Sequence, residues 1–226
     1  MSFLRLVKRE SVVSNRWKGG VTNELFVSPT GSTFSKFDFD FRVSWATVEI
    51  ETSTFSFMPG VTRHLMLLDG NLQLKHIISP PGEGKTAHRN NVTLQPFEQH
   101  VFFGEWPTEA SGKVRDFNLL LRGARSGNLS LVHLTGAAVT FVCAPGDEFR
   151  AWFVVSGTFI VAGGCGNSNG IEKSSGSSFV AEAGDLVWAT REQQSKRVVF
   201  EVQRGTQEGE GTLIDVTVTR LVHCKI

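Results

Sequence analysis

The feature that most constrains this chain is a strand pattern written twice. Pro59-Gly60-Val61-Thr62-Arg63 is followed by Gly70, Leu72 and Leu74, and Pro145-Gly146-Asp147-Glu148-Phe149-Arg150 is followed by Gly157, Phe159 and Val161. The interval from arginine to glycine is the same in both. A later anchor recurs at nearly the same offset, Gln95-Pro96 after Gly70 and Ala183-Gly184-Asp185 after Gly157. A unit of this length is too long for a solenoid repeat and fits a duplicated small domain. Two similar β domains make a shared cleft or two barrel mouths the first places to look for function.

The dominant period along the chain is two. Phe41, Val43 and Trp45 alternate with Arg42, Ser44 and Ala46, and Phe117, Leu119 and Leu121 alternate with Asp116, Asn118 and Arg122, the pattern of half-buried strands. Further strands are expected at 24–27, 63–68, 72–77, 101–103, 129–134, 139–143, 151–155, 158–162, 185–189, 197–202 and 213–221. No segment keeps a helical period. Many short strands with turn residues between them imply a sandwich or barrel, and the repeat argues for two of them. Residues 79–91 and 163–178, rich in Gly, Ser, Asn and Pro, are expected as exposed loops. The boundary between the copies is expected within 123–128, giving an N-terminal barrel over 1–125 and a C-terminal barrel over 126–226.

Charge and composition exclude several classes of function. The net charge is +1 and the basic residues are scattered, so no footprint for nucleic acid or an anionic membrane stands out. The longest apolar stretch, 151–164, is broken by Ser156-Gly157 and is too short to span a bilayer. The first residues reach Lys8, Arg9 and Glu10 without the apolar region of a signal peptide, which implies a cytoplasmic protein. Cys143, Cys165 and Cys224 lack CxxC spacing and read as reduced thiols. With 18 Phe and no Tyr, any proton shuttle falls to a carboxylate, His, Lys or Cys. No G-x-S-x-G elbow is present.

Five blocks in order carry a family resemblance: Trp17-Lys18-Gly19-Gly20-Val21-Thr22-Asn23-Glu24-Leu25, Phe41-Arg42-Val43-Ser44-Trp45-Ala46, Phe55-Ser56 with Pro59-Gly60-Val61-Thr62-Arg63, Leu94-Gln95-Pro96-Phe97-Glu98, and Asp116-Phe117-Asn118. They resemble the blocks of the HutD/Ves family. The stretch before Thr22 is shorter than the family's commoner W-K/R-N-G-G-G-x-T-x-E form. The resemblance implies an all-β bicupin, two double-stranded β-helix (jelly-roll-like) barrels in one chain. It also implies an association with histidine utilisation, where binding of an intermediate such as formylglutamate has been proposed, or with stress and cold response. It implies no established reaction and no cofactor.

In such a barrel each strand turns one face inward, so Arg42 with Ser44, and Asp116 with Asn118, each put two polar groups on a common face. If those faces point inward, Arg42 and Arg63 hold a carboxylate, Ser44 and Asn118 orient it, and Asp116 accepts from an amide or amine. The plainer alternative is that these residues face solvent. A second constellation runs from Trp17 to Glu24. Its Gly-Gly pair permits close backbone approach, and Thr22 and Glu24 share a strand face, closing one side of a pocket. Alternatively the turn only packs Trp17, and Glu24 forms a structural salt bridge with an arginine.

Many cupins hold a divalent metal through a closely spaced pair of histidines, a glutamate and a later histidine. Here the matching strand, Arg63-His64-Leu65-Met66, has no HxH, and the weak alternative set is His64, Glu98 and His100. The second copy replaces polar positions with Trp152, Phe153, Phe159 and Trp188, so its barrel is expected to be filled and to serve as a structural or homodimer-forming partner. The expectation is a metal-free protein that binds a small anionic metabolite in its N-terminal barrel. The rival is a cupin enzyme acting on a small carboxylate, either metal-dependent or using Asp116 or Glu24 as a general base.

Overall fold

The strand Val114–Arg122 is buried on both faces, with Phe117 and Leu119 on one and Asp116 and Asn118 on the other. The half-buried alternation expected from its sequence is therefore not what forms. Antiparallel strands on either side satisfy its backbone, Phe41–Val48 and Val61–Asp69, and these too bury both faces over most of their length. The charged residues of the three strands consequently need an internal cavity or internal partners, since a buried charge without either is costly.

The computed structural model describes residues 4–78, 87–134, 139–142, 146–167, 170–172, 178–190, 198–204 and 211–221. Cys143, Pro145, His223, Cys224 and residues 79–86 of the first expected loop lie outside the described residues. Apart from a 3-10 turn at Arg9–Ser11, the regular structure among the described residues is all strand. No helix among the described residues is long and apolar enough to cross a membrane.

One compact unit holds residues 13–123. Its six-stranded sheet runs β2 (Val13–Trp17), β3 (Gly20–Ser28), β4 (Phe41–Val48), β11 (Val114–Arg122), β6 (Val61–Asp69), β9 (Gln99–Phe103), and its four-stranded sheet runs β5 (Thr52–Thr54), β10 (Thr108–Ser111), β7 (Leu72–Ile78), β8 (His88–Leu94). Leu65, Leu67, Leu72, Leu74, Leu94 and Phe102 pack as one core cluster contributed by strands of both sheets. Strand β8 starts at His88, so the expected loop over 79–91 ends earlier than its composition suggests.

The other unit holds 124–226 together with 1–12. One sheet runs β1 (Leu4–Val7), β18 (Leu186–Thr190), β14 (Asp147–Ser156), β20 (Gly211–Arg220), β12 (Arg125–Leu134). The second runs β13 (Val139–Val142), β19 (Val198–Arg204), β15 (Thr158–Asn167), β16 (Gly170–Glu172), with β17 (Ser178–Glu182) also on β15. The expected division at residue 125 thus differs at the N-terminus, where β1 pairs along β18 and Lys8 reaches Asp185 at 2.8 Å. The expected loop over 163–178 is likewise interrupted by the end of β15 and by β16.

The repeat survives in three dimensions. β6 and β14 are each flanked by their own later strand, β11 or β20, and end in a turn at Gly70 or Gly157, whose φ angles are 92° and 86°. These lie in the left-handed region that only glycine adopts freely. Two differences mark the copies. The first unit extends its large sheet beyond β4 by the hairpin β2–β3, and the second extends its own beyond β18 by β1. Of the aromatic residues expected to fill the second barrel, Trp152 and Phe159 belong to its core cluster with Val161, Val187 and Leu213. Phe153 and Trp188 lie on the opposite face of the sheet, because alternation turns them away from Trp152 and Val187.

Candidate functional site

The inner face of the six-stranded sheet is set by register. Ser44 stands opposite Asn118, and Asn118 opposite Leu65; Arg42 stands opposite Leu120, and Leu120 opposite Arg63; Asp116 stands opposite Ala46. Residues directly opposite share a face, so Arg42, Ser44, Arg63, Asp116 and Asn118 converge. They line a cavity of about 260 Å³ within the first unit. Thr22 and Trp17 also line it, as do Asn15, Phe34, Phe55 and Ser56.

The hairpin β2–β3 closes one side for a steric reason. A Cβ on Gly20 would lie 1.9 Å from the Thr47 carbonyl oxygen, and one on Gly19 would lie 2.2 Å from the Trp17 ring. Only glycine lets the turn press against β4 and carry Trp17 to the cavity. Glu24 does not line the cavity; its Oε2 accepts from Arg42 Nε at 2.6 Å. Arg42 Nη1 also donates to Ser44 Oγ at 3.2 Å, and its guanidinium lies 4.9 Å from the Phe34 ring centroid. Arg42 thus lines the cavity with its charge already engaged by Glu24.

Arg63 is different. It is 8% exposed, its Nε is buried with no hydrogen-bond partner, and its Nη1 reaches only the Ser56 carbonyl at 3.4 Å. It forms no ion pair among the described residues. Its guanidinium sits 4.4 Å from the Phe55 centroid and 5.4 Å from that of Phe102, so aromatic faces carry part of its charge. Burial lowers its pKa to about 10, with Asp116 opposing and Arg42 adding to the shift. Asp116, 3% exposed, accepts from Asn118 Nδ2 at 2.5 Å. Burial raises its pKa to about 6, against the pull of Asn118 and Arg63. The cavity therefore offers one guanidinium without an ion pair and one carboxyl that titrates higher than usual, between apolar walls.

The alternative metal set does not assemble. His64 stands opposite Leu119 and Val101, whereas His100 stands opposite Leu65 on the inner face. Glu98 is exposed and accepts from the backbone N–H of Gln95 in a turn. Among the described residues no three His, Cys, Asp or Glu side chains gather into a metal cage. His100 instead meets His76, which no sequence pattern singles out. Thr108 donates its hydroxyl to the Trp106 carbonyl and so accepts from His76 Nδ1 at 2.8 Å. That fixes the tautomer, leaving His76 Nε2 to accept from His100 Nε2 at 3.1 Å. Burial first, then His100 and Arg63, lower the pKa of His76 to about 4.

The sequence profile of the HutD family matches residues 9–206. No curated protein matches the chain by sequence. Among solved structures it is similar to a conserved protein of unknown function from Pseudomonas aeruginosa, at 17% identity and TM-score 0.71, over 96% of this chain and all of that one. It is similar to HutD from Pseudomonas fluorescens, at 19% identity and TM-score 0.64, over 97% of this chain and all of that one. A formate complex of oxalate decarboxylase from Lactobacillus farciminis matches at 9% identity and TM-score 0.61, over 95% of this chain and 85% of that one. At these identities the solved structures establish the fold alone, a cupin fold occurring twice.

Proposed function

The chain belongs to the HutD family, and from that premise we propose that its first barrel binds a small carboxylate metabolite in a binding or regulatory role. The observation that carries this reading is Arg63, a guanidinium buried in a cavity with an unpartnered Nε. Asp116 acts on Arg63 through space but forms no ion pair with it, and a buried cation so weakly compensated is unfavourable, which suits a site for an anion supplied from outside. At about 260 Å³ the cavity is smaller than the roughly 300–1,000 Å³ of pockets for drug-sized ligands, which suits a small metabolite. Asp116 and Asn118 beside the cation favour a ligand that also carries an amide, and formylglutamate is one acid of that class. The structure of HutD from Pseudomonas fluorescens was solved in a formate condition, which fits a site for small carboxylates.

The raised pKa of Asp116 favours a second reading, in which this carboxyl acts as general base on a bound acid. Glu24 is a poorer base, being engaged by Arg42. Calorimetry with a panel of histidine-pathway acids tests both. Binding at one site in the first unit, lost in Arg63→Met by about 2–5 kcal/mol, supports the proposal, and undiminished binding in that variant sinks it. Turnover of the bound acid that stops in Asp116→Asn moves the assignment to the enzyme reading.

A further inference from the structure

The second barrel holds the same arginine with its ligand already in place. Arg150 occupies the position of Arg63 in the repeat, and its Nε and Nη2 donate to Asp215 Oδ1 and Oδ2 at 2.9 and 2.7 Å, a two-pronged grip on one carboxylate. Each guanidinium also lies against two aromatic rings, although the second ring comes from a different strand in each copy: Arg150 lies 4.9 Å from the Phe141 centroid and 5.9 Å from that of Trp152 on its own strand, and Arg63 lies against Phe55 and against Phe102 on the neighbouring strand. On Arg63 the Nε of the corresponding edge is buried without a hydrogen-bond partner, whereas Nη1 is the nitrogen turned to Ser56.

Register explains where the second carboxylate comes from. Leu65 stands opposite Asn118 on β11, and its counterpart Trp152 stands opposite Asp215 on β20. Asn118 itself stands opposite Ser44, and Asp215 opposite Ser130. Asp215 is therefore the positional equivalent of Asn118. The equivalent of Asp116 is Leu213, since Leu67 faces Asp116 and Val154 faces Leu213. Each strand carries one acid on its inner face, and the two acids differ by two residues of position. In the second copy the acid is close enough to close on the arginine; in the first it is set back, and an amide takes its place.

We infer that a ligand carboxylate binds the Nε–Nη2 edge of Arg63 in the place that the Asp215 carboxylate takes on Arg150, and that the residue at position 118 decides whether the barrel accepts a ligand or closes on its own acid. This rests on the proposed carboxylate-binding role of the first barrel, and it adds the pose and the residue that keeps the site open.

Formate is the probe, being the bare carboxylate. Its binding is followed by nuclear magnetic resonance in the full chain carrying Asp116→Asn, and in the same chain carrying Asp116→Asn with Asn118→Asp. The second protein exchanges acid and amide without changing composition. The exchange should weaken formate binding by roughly tenfold or more relative to Asp116→Asn. A matching arm reopens the second barrel: in an Arg63→Met background, Asp215→Ala should lower the melting temperature, and formate should restore several degrees more of it than equimolar chloride does. If formate binding depends on Arg63 yet survives the exchange, the inference fails while the carboxylate-binding role stands. If the wild type binds no carboxylate, the role fails and the inference with it. Should the exchanged protein not fold, the Asp215→Ala arm decides alone, and absence of formate rescue there overturns the assigned pose.

Discussion

Arg63 and Arg150 are the same residue in two copies of one barrel, yet one is left without a counter-ion and the other is held by Asp215 in a two-pronged pair. The strand positions are alike, and each guanidinium lies against two aromatic rings. What differs is the placement of one acid along the last strand of each unit, Asp116 against Asp215, and the presence of the hairpin β2–β3 on the first unit only. That hairpin brings Trp17 and Thr22 to the cavity and Glu24 to Arg42. A duplicated fold thus keeps one copy closed and stable and leaves the other with an unsatisfied charge. Proteins tolerate such local instability where function needs it.

The sharpest way to break this comparison is to make one substitution at both places. Arg150→Met should destabilise the protein by about 3–5 kcal/mol, because it strands the buried Asp215 carboxylate. Arg63→Met removes a cation with no ion partner and keeps its apolar bulk, so its effect on stability should be near zero or favourable, within about 1 kcal/mol. Urea unfolding of the two variants measures both. Equal losses would mean that the two arginines play the same structural part and that the first site holds no spare charge.

A smaller effect is expected at Arg42. Glu24→Gln keeps a hydrogen-bond acceptor but removes the charge that neutralises Arg42, at a cost to stability of about 1–2 kcal/mol. With Glu24 part-exposed, solvent screening keeps the figure at the low end. The same change should raise carboxylate affinity, because the cavity then presents a second uncompensated cation. Lower affinity in Glu24→Gln, with the fold intact, would show that the pair orients Arg42 for the ligand rather than quenching it.

Much of the site could be read from the sequence, and the rest was hidden for identifiable reasons. The repeat aligned Arg63 with Arg150, and strand alternation grouped Arg42 with Ser44 and Asp116 with Asn118, because both are local patterns. The same alternation excludes His64 from any site shared with Arg63: adjacent residues on a strand take opposite faces, and the structure puts His64 behind the sheet. The pairing of Arg150 with Asp215 depends on the register of β14 against β20, far apart in the chain, and no local pattern encodes it. Strand β2 gave no signal since every one of its residues is exposed. The docking of β1 on β18 is likewise a long-range choice that composition does not reveal.

The smallest effect is also the most selective for the first unit, and it lies in pH dependence. Burial lowers the pKa values of His64, His76 and His100 below their ordinary 6.5, His76 to about 4. A lowered histidine contributes stability that is complete above 6.5 and lost as pH falls through its folded value. Asp116 behaves oppositely. Its pKa is raised from 3.8 to about 6, so its contribution is complete below 3.8 and lost as pH rises through about 6. The trends oppose one another over much the same window and flatten the wild-type profile. Asp116→Asn removes one of them, and Leu213, at the equivalent position of the second copy, supplies no counterpart. Relative to wild type, the variant should therefore lose stability on acidification from pH 6.5 to 4, with a slope of no more than about 1.4 kcal/mol per pH unit from the single group removed. Urea unfolding at intervals across that range tests it. Parallel profiles for the two proteins would mean that Asp116 is already ionised at its ordinary pKa in the folded state, and that the cavity of the first barrel holds water enough to solvate it.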